Sequence, residues 1–156
     1  MYEALLKATP EYQKIAASFA QPGPAALFGL PPAGRALLYA ALQKDLDRVL
    51  CIVTPGEAEA THFADDLKAL GLTAAVFPPR GLSVLGALAG GRLQAVCVPA
   101  EALLQYTVPR AEFIQNTLTL KPGMVYNREA LVARLFAAGY VRRSQVDGPG
   151  QFSVRG

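Results

Sequence analysis

Three short runs of almost purely apolar residues constrain the fold of this chain more than any other feature: residues 49–53 (VLCIV), 74–77 (AAVF) and 95–98 (AVCV). A strand that is apolar at every position is covered on both faces, which is the situation of a parallel strand sandwiched between helices. Helical periodicity fills the intervals. Ala60, Phe63, Ala64, Leu67 and Leu70 fall on one face of a helix that Gly71 ends, and Thr54-Pro55-Gly56-Glu57 has the spacing of a capping box at its start. A second helix spans 82–89 and a third 99–105. Strand, helix, strand, helix with short links predicts an α/β fold with a doubly wound, mostly parallel sheet. Cys51 and Cys97 lie inside two of the runs, where they are expected to act as small buried hydrophobes.

The flanks extend the pattern. Residues 2–20 read as helix interrupted at Thr9-Pro10, residues 25–29 (AALFG) as a short buried strand, and residues 34–47 as a helix with Leu37, Leu38, Ala41 and Leu42 inward. Residues 117–120, Thr-Leu-Thr-Leu, alternate as a strand does. After Lys121-Pro122-Gly123 the texture changes: Asn127 can cap a helix over 128–138, with Leu131 and Leu135 inward and Gly139 closing it. Strands over 140–146 and 151–155, joined through Asp147-Gly148-Pro149-Gly150, are expected to pair as an antiparallel hairpin. The expected organisation is a domain over 1–120 followed by a small, partial α+β module over 121–156.

Gly29 to Ala36 stand in the frame of a phosphate-binding loop, G-x-x-x-x-G-K-[ST], with Arg35 in place of the lysine and Ala36 in place of the hydroxyl. In a working loop the lysine reaches the outer phosphates and the hydroxyl ligates magnesium. Ala36 has no oxygen to offer, Arg35 is bulkier than an ammonium, and Pro31 and Pro32 remove two amide donors. Gly29, Gly34, Arg35 and Ala36 therefore read as a degenerate nucleotide site that holds no cofactor. The alternative is a small nucleotide- or phosphate-binding α/β enzyme that uses the turn from Gly29 to Arg35 and the following helix N-terminus for an anion. No catalytic set or metal set is otherwise apparent: the lone His62 shares an outward helix face with Glu59, Asp65 and Asp66, and Glu101 suits a helix first turn.

Charge is uneven. Residues 1–120 hold nine Lys/Arg against ten Asp/Glu, whereas residues 121–156 hold six against two. Arg142, Arg143 and Arg155, with Phe152 beside them, form a candidate partner-binding patch, because arginine is enriched at protein interface hot spots. DNA contact by so few charges is the weaker reading. No run approaches the ~20 apolar residues of a membrane span, and the polar, acidic start does not look like a signal peptide, so the expected location is the cytoplasm, with no membrane contact.

The ending from Asp147 to Gly156 (DGPGQFSVRG), after Ala138-Gly139-Tyr140, resembles the N-terminal region of the bacterial transcription-repair coupling factors (Mfd), a region itself similar to the excision-repair helicase subunit UvrB. Three more stretches resemble that family in the same order: Val53 to Ala60, Phe77-Pro78-Pro79-Arg80, and Val98 to Gln105. The resemblance implies a helicase-core, phosphate-loop-like first domain whose nucleotide site has decayed, followed by the start of a module that binds UvrA. It places Arg155 in the UvrA-contacting surface; Phe152, Arg142 and Arg143 enter as its neighbours. It also implies that this piece is not an enzyme, and that the translocase motor and the RNA polymerase contacts of such factors belong to other regions. The link at Arg80-Gly81 is shorter than the family pattern.

Overall fold

A computed structural model describes residues 2–77 and 82–155, in two units divided between Thr107 and Val108. Pro78, Pro79 and the short Arg80-Gly81 link lie outside the described residues.

The first unit opens with α1 (Tyr2–Lys7) and α2 (Pro10–Ala20). Thr9 ends one helix and starts the next: its hydroxyl donates to the Leu6 carbonyl at 2.7 Å and accepts from the Tyr12 amide, while Pro10 takes the first helical position, where no N–H is needed. Both helices pack on α3 (Pro32–Leu46), where Tyr12, Leu38, Ala41 and Leu42 are buried with Leu6, Ile15 and Phe19 around them. Asp47, at φ 47°, turns the chain off the end of α3.

Strand β1 (Leu50–Thr54), helix α4 (Glu57–Ala69), strand β2 (Ala74–Val76), helix α5 (Leu82–Ala89), strand β3 (Ala95–Pro99) and the short helix α6 (Ala100–Leu103) complete the unit. The sheet is wholly parallel, in the order β1-β3-β2, with Ile52 and Val76 both opposite Cys97. Central β3 is buried at every position. Ala40 of α3 and Ala60, Ala64 and Leu67 of α4 pack on Ala74, Ala95 and Cys97, small side chains that let helix and sheet approach closely. Val84 of α5 and Ala102 of α6 cover the other face at Phe77, Val96 and Val98. This is the α/β alternation that the three apolar runs predict.

Three features of the sheet differ from the expectations drawn from the sequence. Residues 25–29 form no strand and are exposed, because prolines 22, 24, 31 and 32 strip donors from the segment and Gly23 and Gly29 take positive φ angles. With that strand absent from the sheet, β1 lies at its edge, and the helices that cover Val96 and Val98 stop short of Cys51 and Val53, which are exposed. Thr54 is not the cap of α4: its hydroxyl donates to the Gly56 carbonyl at 2.9 Å, and Gly56 itself takes the cap position.

The second unit holds α7 (Arg110–Asn116), α8 (Arg128–Ala137), β4 (Val141–Arg142) and β5 (Gln151–Phe152). The Asn127 side chain accepts from the Ala130 amide at 2.9 Å, the cap the sequence predicts, and Gly139 at φ +82° closes the helix. Helix α7 lies between the expected helix at 99–105 and the run at 117–120. The Thr-Leu-Thr-Leu run at 117–120 is not a strand: Thr117 turns its hydroxyl back to the Phe113 carbonyl, and the run has no ladder partner among the described residues.

Strands β4 and β5 are parallel rather than antiparallel, with Val141 opposite Gln151 and Arg142 opposite Phe152. Pro149 lacks an amide and Gly150 takes φ +78°, so the chain does not reverse in a tight hairpin but runs out and back before re-entering beside β4. Parallel neighbours ordinarily need a crossover of a dozen residues or more. Eight residues, 143–150, suffice here because each strand is two residues long. The Asp147 amide donates to the Gln151 side chain at 3.0 Å and the Ser153 hydroxyl to the Ser144 carbonyl at 3.1 Å, which pin the loop to β5.

Candidate functional site

The segment in the phosphate-loop frame has become a helix start. Helix α3 begins at Pro32, two residues before Gly34, and the Arg35 amide already donates to the Pro31 carbonyl at 3.0 Å. Pro31 and Pro32 have no N–H, so Ala33 and Gly34 alone keep free amides in the first turn, too few to wrap a phosphate. A Cβ on Gly34 would lie 3.3 Å from the Pro31 ring, so this glycine now serves close packing. Ala36 is buried at 2% exposure and faces the helix packing rather than any ligand.

Arg35 alone of the four points into an open space. It lines a cavity of about 490 Å³ beside the carboxyl end of β1, together with Tyr39, Thr54, His62 and Asp66. Tyr39 and Phe63 stack across its wall with ring centroids 5.7 Å apart. His62, Glu59 and Asp66 thus share a helix face as expected, and that face borders the cavity. Among the described residues no group of His, Cys, Asp and Glu is arranged to hold a metal ion. Asp65 is turned to solvent and pairs with Lys68 at 2.9 Å. Cys97 is buried, and removal from water, with Cys51 nearby, pushes its thiol up to about 11; exposed Cys51 departs from the buried position its apolar run suggests.

In the second unit the strand register sorts the candidate patch into two faces. Arg142 and Phe152 sit opposite each other and share the side that faces α8, where Phe152 meets Phe136 edge to face at 5.2 Å and is 9% exposed. Val154 lies on that side too, so alternation persists past the end of the ladder. Arg143 and Arg155 consequently stand on the other side, both exposed. Neither has a carboxylate within 4 Å among the described residues. Two unpaired guanidinium groups on one short face can take carboxylates of a partner protein in charge-assisted hydrogen bonds. Phe152 is a packed anchor beneath that face.

Residues 118–156 match the family model of the UvrB interaction domain. The chain is also 25% identical, over 149 residues, to the transcription-repair-coupling factor of Bacillus subtilis, an alignment that covers 83% of this chain. The chain spans 13% of the length of that relative. The UvrB-interaction match contains α8, both short strands and every residue of the basic patch. The similarity to the coupling factor extends well beyond the matched module into the α/β unit. The chain is thus similar to a coupling factor over most of its length, and the stretch that matches the UvrB interaction domain lies in the basic unit. No helix among the described residues is long and apolar enough to cross a membrane.

Proposed function

We propose that this chain is a non-catalytic recruitment module of a transcription-repair coupling factor, which docks UvrA through its second unit and so brings excision repair to stalled transcription in the bacterial cytoplasm. The match of residues 118–156 to the UvrB interaction domain carries this reading. Arg155 and Arg143 are the contacts, Phe152 holds their strand in place from beneath, and Arg142 serves the other side. The first unit is the scaffold. It descends from the nucleotide-binding half of a helicase core, with Pro31, Pro32, Arg35 and Ala36 where phosphate and magnesium chemistry would need amides, lysine and hydroxyl. Motor activity and RNA polymerase contacts belong to other parts of such factors.

The experiment is capture of purified UvrA on the immobilised chain, in parallel with Arg155→Ala and Arg143→Ala. Hot-spot arginines cost about 2 kcal/mol or more on truncation, so Arg155→Ala should release most of the UvrA. Equal capture by all three proteins removes this face from the interface. The cavity at Arg35 supports a second reading, a small nucleotide- or phosphate-binding enzyme, which requires an anion beside α3.

A further inference from the structure

We propose that the groove between α8 and the β4/β5 pair is a second docking site, for an acidic segment of a partner protein that carries a large apolar anchor. This site is distinct from the face that holds Arg143 and Arg155, and it does not depend on that face binding UvrA.

Arg128, Val132 and Phe136 recur every fourth residue along α8 and so form one stripe, with Ala133 beside it. Val154 and Arg142 supply the opposite wall, and the space between measures about 480 Å³, within the usual range of ligand-binding clefts. The small Ala133 gives the floor its depth. Phe136 remains 52% exposed although it packs against Phe152, which leaves apolar ring surface open in the groove.

The rim decides the occupant. Arg128 and Arg142 stand at it, and no carboxylate lies within 4 Å of either among the described residues. Glu129 is the sole acid of the lining, so the groove is net positive around an apolar floor. A carboxylate shared between the two guanidinium groups, with an adjacent leucine or phenylalanine laid on Val132, Ala133 and Phe136, satisfies both features at once. Free phosphate would leave the apolar floor unused, and a nucleic acid backbone would meet Glu129 with only two arginines to offset it. The second unit as a whole, with seven Lys/Arg against three Asp/Glu over 108–156, favours approach of an acidic chain.

The test titrates a fluorescein-labelled ten-residue peptide of alternating glutamate and leucine or phenylalanine into the intact chain. Two control peptides replace every glutamate with lysine, or every apolar residue with serine. The expected result is saturable binding of the acidic-apolar peptide alone. Affinity should fall at least tenfold in Arg142→Glu and in Ala133→Leu, which fills the floor. Arg155→Ala should bind the peptide as the natural chain does, which separates this site from the UvrA face. Circular dichroism melts check that each variant is folded, and Arg128→Glu replaces any that is not. Equal binding of either control peptide, unchanged affinity in the folded groove variants, or displacement of the peptide by an equimolar short DNA duplex at physiological salt would overturn the proposal.

Discussion

Arg142 stands directly across from Phe152 in the parallel register of β4 and β5, and this pairing divides the basic residues of the second unit between two faces. Arg142 joins Phe136, Phe152 and Val154 on the side of α8, while Arg143 and Arg155 share the other. The division depends on Phe152 staying seated on Phe136.

Phe152→Ala should therefore loosen the whole second unit. Truncation of a buried phenylalanine costs about 3 kcal/mol or more, and the edge-to-face pair adds about 1 kcal/mol. Amide hydrogen exchange of α8 and the two strands should accelerate while β3 keeps its protection, because Phe152 belongs to no cluster of the first unit. Unchanged exchange in α8 would show that the aromatic pair does not organise the unit.

The two cysteines should separate cleanly by reactivity. At pH 8 one thiol per chain should react with Ellman's reagent within minutes, and Cys51→Ser should abolish that reaction. Cys97, buried at the centre of the sheet with its thiol pushed up to about 11, should react only in denaturant. Two fast thiols in the native protein would contradict the placement of β3 between two helix layers.

A charged cluster ties α1 and α2 to α3. Lys7 bonds Asp45, Lys44 bonds Glu3 at 2.7 Å, and the buried Tyr12 hydroxyl donates to Asp45. Lysine hydrogen bonds, from Lys44 to Glu3 and from Lys7 to Asp45, hold both carboxyls below their usual range. Burial, and then the bond to Asp45, raises the Tyr12 hydroxyl; the Asp45 bond raises Lys7. The depressed carboxyls stabilise the fold above about pH 4, their unfolded range, and that contribution fades as pH falls through the lowered folded values. The raised Tyr12 and Lys7 contribute fully below about pH 10 and lose that contribution as pH rises through their folded values. The unfolding free energy from urea titrations should thus be flat between about pH 5 and 9 and fall outside, by about 1 kcal/mol or less for each of the partly exposed lysine–carboxylate pairs. Asp45→Asn should shrink both limbs. An identical pH profile in that variant would remove the cluster from the stability of the unit.

Mg·ATP should give no saturable heat in calorimetry. Restoring the consensus side chains with Arg35→Lys and Ala36→Ser should not create a site, since Pro31 and Pro32 still lack amides and α3 still begins at Pro32. Micromolar binding by the natural chain, lost in Arg35→Ala, would favour the enzyme reading.

The core of the first unit was legible because its signals are local. Ala60, Ala64 and Leu67 repeat with the helical period, and the run at 95–98 is apolar throughout, as a central parallel strand is. Residues 25–29 misled because apolar content outweighed four nearby prolines, and a strand also needs a neighbour that composition does not supply. Cys51 and Val53 misled for a related reason: a fully apolar run does not reveal that its strand lies at the sheet edge. The parallel sense of β4 and β5 goes with a loop at Pro149 and Gly150 that Gln151 and Ser153 pin down, contacts invisible to a turn motif. Gln43, buried at 4%, accepts from the Gln94 amide group at 3.1 Å, and the Gln94 carbonyl in turn accepts from Thr73, a polar tie at the end of the sheet that periodicity could not show. In the second unit the arginines were evident, but their division between two faces required the register.

Docking through the exposed arginine face is checked by calorimetric titration of UvrA into the intact chain, at low and at physiological salt. The expected result is a saturable complex that tightens at low salt, because two exposed guanidinium groups carry it, and that weakens at least tenfold, about 1.4 kcal/mol, in Arg155→Ala. No saturable complex at either salt concentration, or equal affinity in the variant, would contradict it.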